Sequence, residues 1–365
     1  MSDPLSDPSS IPHGISTNID EFARAAAQLC RDRLGREVLS CARAGWPGSS
    51  AVRVQLEDTP VIVTRRAHPE RTRFEADVLT ELAAAGAPVP HILAFDGEYL
   101  IQQDLGSTTL LDAFAKPDEP VWIDHLDQAL TSLRQIHAAG RETTLTRRIP
   151  NIGVSSGWIE NLLSAPIRVG NRLSLPSPRL DVAGLGALLL SPNLTFIKWD
   201  ARPANAALHD DGSVAWFDWQ NCGRRNPLDD IVWLMGDEHL PDQPETEAEL
   251  ITRHLGQIAG ADYQGDPVEY LMAFGALHMC VRLHVMLNAR ENSLWRQATL
   301  GWPDERSGVS LETISRTCRR GARWAANSVL AEPLGEWLYS LPAFIAMPPD
   351  PNALSAIYPE SETIH

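Results

Sequence analysis

Positive charge is what this 365-residue sequence most lacks: 31 Lys and Arg stand against 47 Asp and Glu, a formal net charge of −16 at pH 7. A protein that grips a nucleic-acid polymer clusters Lys and Arg against its phosphates, so no nucleic-acid partner is expected. The acidity aids solubility and would also suit a cationic acceptor. Cysteine is sparse too. Cys30, Cys41, Cys222, Cys280 and Cys318 stand singly and in odd number, with no close pair to clamp zinc. They read as reduced, mostly buried residues of a cytoplasmic protein. Long apolar runs are missing: no segment holds ~18 uninterrupted apolar residues. The opening Met1-Ser2-Asp3-Pro4-Leu5-Ser6-Asp7-Pro8 has neither a basic patch nor an apolar core. Neither secretion nor a membrane partner is expected. Internal repeats and low-complexity tracts are absent, and the oligomeric state has no signature in the sequence.

What remains is ordinary globular material in sufficient quantity for two lobes, with 44% hydrophobic and 21% charged residues. Residues 1–17 are rich in Ser, Pro and Asp and read as a flexible tail. A helix with period-3.6 apolar positions is expected from Ile19 to Leu39, capped by Asn18. Ala51-Val52-Arg53-Val54 and Val61-Ile62-Val63 then read as antiparallel strands flanking the loop Gly45 to Ser50. Pro69 to Ala85 is helix-like, with Glu75 among Phe74, Val78, Leu79 and Leu82, and stops at Gly86. Two strands, Ile92 to Phe95 and Tyr99 to Gln103, meet at Asp96-Gly97, a tight-hairpin signal. Beyond Asp104-Leu105-Gly106 the pattern becomes helical. Leu126, Leu130, Leu133 and His137 recur at helical spacing, and nearly everything after Pro227 is helix-like. An α+β protein follows, with a sheet lobe over 18–105 and a larger helical lobe over 106–365.

The chemistry concentrates in Phe196-Ile197-Lys198-Trp199-Asp200-Ala201-Arg202-Pro203-Ala204-Asn205, followed by Trp216-Phe217-Asp218-Trp219. Phosphoryl transfer needs a carboxylate at the attacking hydroxyl and oxygen donors for Mg²⁺ against nucleotide phosphates. Asp200 is the candidate for the first, Asn205 and Asp218 for the second. Asp, Pro and Asn also make plain turns. Asp218, however, ends the apolar strand Ala215-Trp216-Phe217, where a metal would neutralise a costly carboxylate. Arg202 is placed to steady the transferring phosphoryl with a fork of donors.

These motifs resemble the aminoglycoside phosphotransferase and choline kinase branch of the protein-kinase-like fold. Lys198-Trp199-Asp200 through Asn205 takes the place of that family's catalytic loop, and Phe217-Asp218-Trp219 that of its metal-binding Asp. Asn226-Pro227-Leu228-Asp229-Asp230-Ile231 resembles a stretch whose second Asp, here Asp230, is structural. Glu75-Ala76-Asp77-Val78-Leu79 and Gly86-Ala87-Pro88-Val89-Pro90 match the helix glutamate and the approach to the hinge. The resemblance spans roughly residues 40 to 240. It implies a bilobal fold, ATP or GTP between the lobes, and Mg²⁺. It also implies a phosphate-covering loop at Gly45, Gly48 and Ser49, a hinge near Gln102 to Leu105, Gln103 included, that recognises the base by backbone hydrogen bonds, and a small-molecule hydroxyl acceptor.

The departures matter. The third strand reads Val63-Thr64-Arg65-Arg66, so Arg65 or Arg66 replaces the usual Lys as partner of Glu75 and phosphate. Strand parity sets Val63 with Arg65 and Thr64 with Arg66, and Arg65 is the preferred partner. Lys198 stands where the loop His is usual, and no Gly follows Asp218. A nucleotide-binding pseudokinase is therefore the rival reading. Phosphorylation of proteins is disfavoured by the short stretch from Asp218 to Pro227. His278 with Arg282, and His284 with Asn288, read first as buried helix polar groups and second as acceptor contacts. The acidic stretch Asp237-Glu238 to Glu249 reads equally as a polyamine attractor or a solvated face. The 11 Trp residues offer core packing first and cation–π surfaces second.

Overall fold

The structure, a computed structural model, describes residues 19–45, 50–115, 120–300 and 310–346, the side chains of 290–300 excepted. In chain order the first elements are α1 (Ile19–Leu34), β1 (Val38–Ala44), β2 (Ala51–Leu56), β3 (Pro60–Arg65), α2 (Pro69–Ala84), β4 (Ile92–Asp96) and β5 (Tyr99–Gln103). The strands form one antiparallel sheet in the order β1-β2-β3-β5-β4. Its register sets Val52 opposite Val63 and Val63 opposite Ile101. Alternation puts these residues on one face, where Phe22, Ala26 and Cys30 of α1 cover Val52, Val54, Val61, Val63 and Ile101. The opposite face meets α2, whose Val78, Leu79 and Leu82 pack with Leu100 in the main core.

Two boundaries differ from the expected ones for local reasons. The first helix stops at Leu34, short of Leu39, because Gly35 adopts φ +66° and Val38 already pairs with Leu56. The hairpin between β4 and β5 turns through Gly97 at φ +55°, as an Asp-Gly pair favours. The expected Asn18 cap, and Gly48 and Ser49 of the loop, lie outside the described residues. Arg53 on β2 grips Asp104 through Nε and Nη2 at 2.5 and 2.9 Å and reaches the Gly106 carbonyl at 2.8 Å. The sheet is thereby strapped to the segment that leaves it.

The larger lobe runs through α3 (Leu110–Phe114), α4 (Val121–Glu142), α5 (Leu145–Arg148), α6 (Ser156–Leu163), α7 (Ala165–Leu173) and α8 (Val182–Leu189). Then come β6 (Thr195–Ile197), a 3-10 turn at Pro203–Asn205, β7 (Ala206–Leu208), β8 (Val214–Trp216) and β9 (Gly223–Arg225). It closes with α9 (Leu228–Met235), α10 (Pro244–Ala259), α11 (Pro267–Leu300), α12 (Leu311–Ala326) and α13 (Leu334–Ile345). Antiparallel pairs β6–β9 and β7–β8 lie against α4, whose Leu126, Leu130, Leu133 and Ile136 are fully or almost fully buried. Four of the five cysteines are buried and all five are free.

Within α11, Pro267–Ala289 is apolar and long enough to cross a membrane, with mean hydropathy 1.4. Glu269, His278, Arg282, His284 and Asn288 interrupt it, so no run of ~18 apolar residues is unbroken. This stretch is 72% buried, packed by α7, α9 and α12. Gly275 makes the α12 contact possible, because a Cβ there would lie 2.1 Å from a ring carbon of Trp324. Gly275→Ala is expected to cost about 1–3 kcal/mol through overpacking. Gly256→Ala, on an exposed helix position with nothing nearby, gains about 0.5–1 kcal/mol from reduced chain entropy. Urea unfolding midpoints of the two variants should move in opposite directions.

Candidate active site

The site begins where β6 ends. Asp230, buried on the first turn of α9, accepts the backbone N–H of Lys198 at 2.9 Å and of Trp199 at 2.8 Å, one on each oxygen. His137 of α4 lies 2.8 Å from the same carboxylate. This grip holds Trp199 and Asp200 in left-handed conformations at φ +52° and +59°. Among the described residues four non-glycine residues have positive φ, and three of them, Trp199, Asp200 and Asp218, belong to this site. Such conformations cost of order 1–3 kcal/mol each and persist only where surroundings over-determine them.

The chain then folds back on itself. Arg202 N–H donates to Asp200 O and Asn205 N–H to Arg202 O, each at 2.8 Å. The Asn205 amide turns onto Asp200, donating to its carbonyl and its Oδ2 at 3.1 Å each. Phe217 N–H donates to the Asn205 carbonyl, so the hairpin β7–β8 delivers Asp218 beside Asn205. Lys198 ties the two loops together from below. Its Nζ donates to the carbonyls of Asp200 at 3.3 Å and Asp218 at 3.2 Å. The same nitrogen sits 5.7 and 5.4 Å from the ring centroids of Trp216 and Trp219. A residue that the sequence marks only as a departure is thus the joint between the two acid-bearing loops.

The sheet lobe supplies the other half. Arg66, just past β3, forks onto Glu75 of α2 at 2.6 and 2.8 Å and reaches Asp218 Oδ1 at 3.1 Å. Glu75 also accepts the Trp219 N–H at 3.1 Å. Burial alone would lower the Arg66 pKa, but Glu75 and Asp218 hold it above its ordinary value. The preference for Arg65 is therefore corrected: Arg65 pairs with Glu98 at 2.9 Å and stacks near Tyr99. Parity was right, but the Val63 face is the one α1 covers, which leaves the Arg66 face to the cleft.

Arg202 also needs correction. Its donors are committed to Asp237 at 3.0 Å and Glu238 at 2.9 Å, and Arg282 grips Glu238 at 2.5 and 3.2 Å. The fork expected at a phosphoryl group is instead spent on two acids at the end of α9. Burial would raise the Glu238 carboxyl, yet Arg282 and Arg202 bring it down to about 2. Part of the acidic stretch is likewise committed internally, with Asp242 on Arg319 and Glu247 on Arg320, while Glu245 and Glu249 stay on the exposed helix face. Gln103 lies on the exposed sheet end, its side chain accepting from His91 N–H at 3.2 Å. Gly45 closes β1 with φ +79°.

Beside Asp200 stands an aromatic cluster that the sequence pattern did not reveal. Trp199 meets Trp158 and Trp233 at 5.9 and 5.6 Å, and Trp233 meets His278 at 4.5 Å. Buried Arg225 lies 4.1 Å from the Trp158 ring centroid and pairs with Asp229, so a cation of the protein's own already occupies that aromatic face. Burial, aided by Arg282 and Arg202, lowers His278 to about 3 and keeps its imidazole neutral. His284 pairs with Asn288 at 3.2 Å.

Among the described residues no group of three or more His, Cys, Asp or Glu could hold a metal. Mg²⁺ asks for less, namely one or two protein oxygens with water and phosphate completing its shell. Asn205, whose amide N–H is spent on Asp200, and Asp218, whose Oδ1 alone meets Arg66, each retain such an oxygen. The residues present fit that ion.

A sheet lobe over a helical lobe, with acids at the seam and an Arg–Glu pair above them, is the layout of a protein-kinase-like fold. The family model described as the phosphotransferase enzyme family (APH) matches residues 43–266, and the chain belongs to that family. Choline kinase LicA from Streptococcus pneumoniae is similar in structure, with TM-score 0.51 and 13% identity over 83% of this chain and 99% of that one. Spectinomycin phosphotransferase APH(9)-Ia, solved with ADP and spectinomycin, gives TM-score 0.52 and 11% identity over 86% and 97%. At such identities the likeness is one of fold. No curated protein matches the chain in sequence.

Burial raises the Asp200 carboxyl to about 6, against the lowering pull of Lys198 and with a further push from Asp218. The sign follows: ionising Asp200 costs folding free energy as pH rises from its ordinary value of 3.8 towards about 6. Carbon NMR of the labelled carboxyl should titrate with a midpoint near 6 in the metal-free protein. Asp218→Asn removes a raising charge and should move that midpoint down.

Proposed function

We propose that this protein transfers the γ-phosphoryl group of ATP or GTP to a hydroxyl of a small acceptor. The observation that carries the reading is the meeting of Asp200, Asn205 and Asp218 beneath the Arg66–Glu75 pair, joined by Lys198 into one rigid set. Asn205 and Asp218 would hold Mg²⁺, which neutralises charge on the nucleotide phosphates when bound. Arg66, fixed by Glu75, lies where it can meet those phosphates. Asp200, with a carboxyl poised near 6, orients the acceptor hydroxyl and receives its proton. Arg202 acts at one remove, its charge favouring the ionised form of Asp200.

The acceptor would meet this cluster at Trp233, its half-buried member beside buried Trp199 and His278. Because Glu238 and Asp237 are already paired with Arg282 and Arg202, attraction of a polyamine by free carboxylates has no support there. Recognition rests instead on ring faces and hydrogen bonds, which suit hydroxylated acceptors with or without an amine. Choline, amino alcohols and spectinomycin form the first screening set. A coupled ADP-release assay over that set, extended to other hydroxylated metabolites and antibiotics, should find turnover dependent on Mg²⁺.

Asp200→Asn is expected to lower kcat by about 10²–10⁴-fold while nucleotide affinity stays within about twofold. Unchanged turnover in that variant sinks the base assignment. Asp218→Ala should abolish the Mg²⁺-dependent part of nucleotide binding, measured by calorimetry with and without the ion. Thermal stabilisation by nucleotide with no turnover of any acceptor would assign the protein to the pseudokinases instead.

A further inference from the structure

Gln102 is a buried carboxamide whose oxygen has no partner inside the protein. It is 5% exposed, and its Oε1 is enclosed without any hydrogen-bond partner. Its place in the sheet says what is missing. Ile101 points to the face that α1 covers, so Gln102 points to the other, with Ile62 and Ile92 as its cross-strand neighbours. Two isoleucines can satisfy neither end of an amide. Along the same face of β3 come Thr64 and then Arg66, the residue that meets Asp218. The Thr64 hydroxyl is also buried and unpartnered. From the level of Gln102 to Arg66 the face runs four residues, roughly 13 Å at the rise of an extended strand. That is about the span from the phosphates of a nucleoside triphosphate to the far edge of its base.

We propose that the Gln102 carboxamide reads the 6-position of the purine base, accepting from the amino group of adenine or donating to the oxo group of guanine. The inference rests on the nucleotide-binding reading above and deepens it. A carboxamide carries a donor and an acceptor side by side and can present either by rotating. A carboxylate or a hydrocarbon at this position lacks that choice. Both purine triphosphates therefore bind, and what the site rejects is a purine with nothing at position 6.

The test pairs a ligand lacking the group with side chains lacking the amide. Isothermal calorimetry with Mg²⁺ compares ATP, GTP and purine riboside 5′-triphosphate on wild type, Gln102→Met and Gln102→Leu. Wild type should bind ATP and GTP within about tenfold of each other, and both about three- to tenfold more tightly than the unsubstituted purine. In Gln102→Met, whose side chain nearly conserves volume among apolar neighbours, the advantage of the 6-substituted bases should vanish, and Gln102→Leu should behave alike. Wild type binding the unsubstituted purine as well as ATP overturns the proposal without any variant, as does an advantage that persists in the variants. If wild type binds none of the three, the functional reading itself falls, an outcome distinct from loss of the base preference alone.

Discussion

One carboxylate governs the shape of the reacting end of this molecule. Asp230 takes the two consecutive N–H groups that open the Lys198–Asn205 loop, and it faces His137 in a site closed to water. An unpaired carboxylate there would be intolerable, and unpaired N–H groups nearly so. Each therefore enforces the other. The consequence is a chain reversal in which two residues with side chains sit in a region of backbone space that glycine prefers. Asp200 projects from that reversal, and its direction is a product of strain borne elsewhere.

Above that foundation the parts are joined by shared atoms. Lys198 contacts the carbonyls of Asp200 and Asp218. Asp218 contacts Arg66, Arg66 contacts Glu75, and Glu75 returns to the backbone of Trp219. Residues from the end of β3, from α2 and from two loops of the helical lobe thus form a closed circuit of hydrogen bonds. Such a circuit has two discrete conditions, made or broken, and few intermediate ones. A Trp rather than a Gly after Asp218 reinforces it, since a fully buried ring cannot swing with the backbone.

Much of this was legible in the sequence because the signals are local. Periodicity, Asp-Gly and Gly86 place the elements within a few residues, and Asp200, Asn205 and Asp218 fall within 19 positions of one another. What escaped depends on facts remote in the chain. Parity pairs Arg66 with Thr64, but only the docking of α1 on the Val63 face decides which arginine enters the cleft. The Arg202 fork looks available until α9 brings Asp237 and Glu238 against it, 35 and 36 residues later. Lys198 left one clue unused: the sequence holds just two lysines, Lys116 and Lys198, and a cation so rarely chosen stands alone among arginines at the centre of the site. A guanidinium is planar and wide, whereas the cleft between Trp216 and Trp219 takes a compact ammonium on a slender stem.

The apolar stretch at the start of α11 has a consequence for the making of the protein. Translation proceeds from the N-terminus, so Pro267–Ala289 leaves the ribosome before α12 exists to cover it. During that interval the nascent chain presents a segment long and apolar enough to resemble a membrane span. Its cover on that side is the last to be made, since α12 follows it in the chain. Trp324, seated on Gly275, is the late-arriving residue that turns a candidate for the lipid bilayer into the interior of a folded enzyme.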